Sequence, residues 1–185
     1  MFGLSELGVQ PPQSIPLATR KRNSIANSQG GKVAYGRIQA FRDLCQSRRW
    51  EFRCDSEGIY NCAGLVWATR RTGISESSEW LKVLREDDYR QLVVLENLAL
   101  DDLALYRDVD DNTYLHVARI VRLIPGVSSS SAMIPIVLSK WGHDLGECLH
   151  QVFDHGLHEY NVDIEFWTDR PNDTTLPSTI RSIIV

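Results

Sequence analysis

The segment "YLHVARIVRLI", Tyr114–Ile124, decides how the chain is read. It is rich in β-branched residues, which suit a pleated, half-buried surface, and it follows the turn residues "DVDDNT" at 108–113. On its N-terminal side "LALYRD" (Leu103–Asp108) reads as a second strand. On its C-terminal side "PGVSSSS" is a loop, and "MIPIVLSKWG" (Met133–Gly142) is a third strand. Further on, "NVDIEFWT" alternates Val162, Ile164 and Phe166 with Asp163 and Glu165, the pattern of a half-exposed strand. The final "STIRSIIV" is expected to add one more, and a short helix is expected over Gly146–Phe153.

Before Leu100 the period is helical. Ile38, Phe41, Leu44 and Cys45 recur at three- and four-residue intervals, predicting a helix that ends near Trp50 with Cys45 on its buried side. Cys54 lies in the polar connection "RCDSEG". In "YNCAGLVWATRRTG" (Tyr60–Gly73) Asn61 is a good N-cap, Leu65, Val66 and Thr69 continue the face begun by Cys62, and Arg70–Arg71 precede Gly73. These end signals predict a helix over 62–72. A charged helix is expected over Ser78–Tyr89, burying Trp80, Leu81 and Leu84. Helices first and a mostly antiparallel sheet afterwards make an α+β arrangement.

The chain has 185 residues, 43% of them hydrophobic and 24% charged, enough for one domain with a real core. Residues 1–33 hold Pro11, Pro12, Pro16, Gly30, Gly31 and a basic triplet Arg20–Arg22. They are expected to form a flexible or draped tail that could meet an acidic protein partner, with the domain spanning 34–185. A net charge of −4 gives no overall case for nucleic acid. Four cysteines without a C-x-x-C spacing exclude a disulfide scaffold and argue against a zinc ribbon. The N-terminal stretch has no basic region and no long apolar run, so a cytoplasmic protein without a membrane span is expected.

Cys62 is the position that could carry chemistry. Unpaired N–H groups at a helix start lower a thiol's pKa and could hold an oxyanion. A nucleophilic thiol needs an imidazole on a separate element, and His116, near the start of its strand, is the candidate. In this order "NCAGLVWA", "DDLALYRD" and "HVARIV" resemble the NlpC-type papain-like cysteine peptidases and amidases. That family carries Asp-Cys-Ser-Gly-Phe-Val on a helix, Gly-Asp-Leu before a strand and His-Val-Gly-Ile on the next. Asn61, Ala63 and Ala118 depart from its Asp, Ser and Gly, and Asp101 or Asp102 stands at its Gly-Asp pair.

The resemblance covers roughly residues 60–142 and implies a papain-like fold, N-terminal helices packed on a mostly antiparallel sheet. It also implies amide cleavage in a peptide or other amide substrate through a thioester, with no cofactor. Cys62 would be nucleophile and His116 acid–base, while Tyr60 and the backbone at Ala63 would serve substrate or oxyanion. The third residue, on the strand after His116, is Ser139, because a lysine ammonium at Lys140 only donates; His150 or a backbone carbonyl is the alternative. Acyl transfer by the same pair, or a catalytically inactive papain-like binding module, stays open. So does zinc on His143, Cys148, His150, Asp154, His155 and His158, whose spacings match no known ligand pair.

Overall fold

In the computed structural model, which describes residues 13–126 and 133–171, seven strands form one antiparallel sheet; counted along the chain, they lie side by side as first, sixth, fifth, fourth, third, seventh and second. The strands are β1 (Glu51–Cys54), β2 (Arg90–Leu92), β3 (Leu103–Asp108), β4 (Tyr114–Pro125), β5 (Met133–Lys140), β6 (Glu147–Gln151) and β7 (Val162–Thr168). Three α-helices flank them: α1 (Tyr35–Arg48), α2 (Cys62–Trp67) and α3 (Ser77–Glu86).

The expected α+β papain-like arrangement, with helices packed on a sheet as an equal partner, is therefore corrected to a β-rich fold. Two physical reasons account for the difference. First, α2 has only 6 residues instead of spanning 62–72. Thr69 and Arg70 turn left-handed, and the chain folds back so closely that a Cβ on Gly64 would lie 1.9 Å from the Thr72 carbonyl oxygen. Second, the polar connection at Cys54 and the expected helix over 146–153 are both strands. β6 completes the hydrogen bonding of β5 (Leu138 opposite Leu149), and β1 does the same for β6. The final "STIRSIIV" lies outside the described residues.

The two faces of the sheet carry separate cores. On one face Leu103, Leu105 and Val117 pack with Cys62, Ala63, Val66, Ile74, Trp80, Val83 and Leu84 from the α2–α3 region. On the other, Ala104, Tyr106, Ala118, Ile120 and Val137 pack with Val152 and Phe166. α1 sits at an edge of the second face, where Phe41 and Cys45 meet Trp50 and Cys148. Alternation along the strands is broken twice on β4. Tyr106 faces His116 but Arg107 faces Tyr114, so Leu115 is an extra, bulged residue, and a second irregularity follows Ile120.

Within 13–33 the chain is laid along the domain. Ala18 bridges Ser24 and Ser28 bridges Gly73. Thr19 Oγ1 donates to Glu86 at 2.7 Å, and Ile25 belongs to the first core. Ile25 is the apolar residue by which this segment joins the buried interior. Among the described residues no helix is long and apolar enough to cross a membrane.

Candidate functional site

The sheet places Cys62 and His116 on opposite faces. Cys62 starts α2, capped by Asn61, whose side chain accepts from the Gly64 N–H at 3.0 Å and the Ile74 N–H at 3.1 Å. The helix lies over the Val117 side of β4; Arg119, two residues on, donates to the Val66 carbonyl at 2.7 Å. His116 points the other way. Its ring lies on Trp141, 4.0 Å between centroids and 9° from parallel, and 5.3 Å from the ring of Tyr106. Among the described residues no hydrogen bond joins Cys62 to His116.

The structure does bring His116 to Ser139, with Nε2 3.2 Å from Oγ. The same hydroxyl is 2.8 Å from His150 Nε2, and His150 Nδ1 is 2.7 Å from the Gln151 carbonyl. A carbonyl only accepts, so His150 Nδ1 carries the proton and its Nε2 accepts from Ser139. Ser139 Oγ is then left to accept from His116 Nε2–H. Both imidazoles fit this chain of bonds in their neutral form. Burial, with the neighbouring His150 and His155, holds His116 well below the usual histidine range. Burial also lowers His150. Ser139 is fully buried between them.

Cys62 is 5% exposed. Burial pushes its thiol up to about 11, against the opposing pull of the backbone N–H groups of Val117, Ala63 and Cys62 itself. A helix of six residues adds little field, and burial wins. Ala63 is fully buried in the first core. The Tyr60 hydroxyl donates to Glu147 Oε1 at 2.5 Å, so it is already engaged.

A buried polar network on the Cys62 face escaped the sequence reading. Glu147 also accepts from Arg70 Nε at 2.6 Å and Nη2 at 2.9 Å. Burial works to raise its carboxyl, but the Arg70 and Tyr60 hydrogen bonds outweigh this and hold it below the ordinary carboxylate range. Lys140 is fully buried; its ammonium donates to Ser56 Oγ at 2.8 Å, His143 O at 3.2 Å and Leu145 O, and lies 4.8 Å from the Tyr60 ring centroid. Burial lowers its pKa to about 8 despite Glu147 nearby. The available signal was a lysine within the apolar run "MIPIVLSKWG". As a triple donor Lys140 holds the loops at 56 and 143–145, a structural task rather than a catalytic one.

Among the described residues no three of His, Cys, Asp and Glu are grouped to hold a metal ion. Cys148 and His150 lie on β6, while His155 and His158 stack on each other at 5.7 Å and Arg48 Nη1 lies 2.7 Å from His158 Nε2. No protein-family model matches the chain, and neither a curated protein nor a solved structure gives a significant match.

Proposed function

We propose that this chain is a non-catalytic binding module in which Cys62 is a core residue. The observation that carries the reading is the separation of Cys62 and His116 by the sheet itself. A general base must come within hydrogen-bond reach of the proton it takes, directly or through one water. The thiol, pushed up to about 11, holds little thiolate at neutral pH, and Lys140, on its own face, is committed to three acceptors.

The surface that suits a ligand is a groove of about 510 Å³ lined by Ile15, Pro16, Gln29, Ile59, Arg70 and Arg71. Three apolar side chains lie beside two exposed guanidinium groups. Arg70 is spoken for by Glu147, whereas no acid pairs with Arg71 among the described residues. That combination fits a ligand with an apolar body and a carboxylate, such as the end of a peptide.

Titration with short apolar peptides bearing a free C-terminal carboxylate tests it. Arg71→Glu should weaken binding about tenfold or more, the scale of one charge-assisted hydrogen bond, and Cys62→Ala should leave it unchanged. Equal binding of the C-terminally amidated peptides would contradict the groove's assignment.

One feature favours a second reading, cysteine hydrolysis or acyl transfer. The N–H groups of Val117, Ala63 and Cys62 pull the thiol's pKa down, the direction a nucleophile needs. This reading requires a base on the Cys62 face.

A further inference from the structure

Two other cysteines, one on α1 and one on β6, share one buried cluster. Cys45 sits in the last turns of α1 and Cys148 on β6; both are buried in one cluster with Phe41 and Trp50. We propose that Cys45 and Cys148 are a dithiol that a small-molecule disulfide oxidises to a disulfide bond, stapling α1 to the sheet. This goes beyond the binding reading and does not depend on it.

Sharing one buried cluster, the two thiols act on each other, which lowers Cys45 and raises Cys148. Cys45 is therefore the side that ionises first, and Cys148 is the resolving thiol. Cys45 thiolate attacks the disulfide reagent, forming a mixed disulfide and releasing one thiol. Cys148 then displaces the second thiol and loses its proton. The protein gives up two electrons and two protons, and the reagent's S–S bond becomes two thiols.

Access depends on α1 moving. It buries only Phe41 and Cys45, and its first residues have no side-chain cap, so it is weakly anchored. Two unbonded thiol sulfurs lie further apart than the ~2.05 Å of a disulfide, so the helix must also shift inward slightly to close the bond. Once closed, the bond would fix α1 beside the Trp50–Trp141 stack, where the rings lie 6.0 Å apart.

The test uses the full chain carrying Cys54→Ser, which removes the exposed thiol. After exposure to oxidised glutathione at mildly alkaline pH, free thiols should fall from three to one. Peptide mapping should give a Cys45–Cys148 link and leave Cys62 free. Adding Cys148→Ala should halt the reaction at a glutathione adduct on Cys45. Three persisting thiols, a link involving Cys62, or an adduct on Cys45 that does not resolve while Cys148 is present would each overturn the proposal.

Discussion

Acidification through about pH 6.5 should destabilise the chain steeply, before its carboxylates titrate. Burial lowers His116, His143, His150 and His155, most severely His116. A histidine depressed in the folded state is neutral there while its unfolded counterpart takes up a proton. Its stabilising contribution is therefore complete above the unfolded pKa of about 6.5 and is lost as pH falls below it. Each fully buried imidazole contributes a slope of up to about 1.4 kcal/mol per pH unit. His116 and His150 are tied through one serine hydroxyl, and protonating His150 Nε2 would cost the bond it accepts there. The depressed carboxylates Glu51, Asp55, Glu86 and Glu147 act in a separate window, losing their contribution only as pH falls below about 4. Urea midpoints measured across this range should fall continuously below about pH 6.5. A flat profile down to the carboxylate range would mean that the imidazoles are not held neutral.

Glu147→Ala should cost about 3–5 kcal/mol, the scale for removing one partner from a buried ionic cluster. The loss leaves the Tyr60 hydroxyl without its acceptor and takes the nearby carboxylate from Lys140, which is fully buried. Arg70 suffers least, since half of its side chain is exposed and can turn to water. Glu147→Gln keeps an acceptor for Tyr60 and should cost less, roughly 1–3 kcal/mol. Against a total stability on the order of 5–15 kcal/mol, the alanine variant should be marginal, and its denaturant midpoint reads the effect directly. An alanine variant as stable as the native chain would mean that the cluster is solvated.

The long strands were legible because their β-branched runs leave little choice: β3, β4 and β5 lie where "LALYRD", "YLHVARIVRLI" and "MIPIVLSKWG" are written. β6 was not, because "ECLHQ" mixes polar and apolar residues and becomes a strand only through pairing with β5. The side to which His116 points was also hidden. In a regular strand Tyr114 and His116 share a face, and Tyr114 does pack against the Cys62 core. The bulge at Leu115 breaks that parity and sends His116 to the opposite core, although no turn residue marks it. Ser139 was singled out because the resemblance puts a polar residue on the strand after His116, and it does lie beside that ring, whereas the joint contact with His150 depended on β6 being a strand. Lys140 was set aside because an ammonium cannot accept from an imidazole. That chemistry was sound, and its three donated bonds are the role that the reading missed.

The most direct test of the separation between Cys62 and His116 is peptide-resolved labelling of the native chain with iodoacetamide at neutral pH, repeated in His116→Ala. Cys54, the exposed thiol, should react first, and Cys62 should react slowly, at a rate set by opening of the fold. Changing His116 should leave that rate unchanged or raise it, if the variant opens more often. Cys62 labelling ahead of Cys54 in the native chain, and slowing when His116 is replaced, would contradict the separation and show a working thiol–imidazole pair.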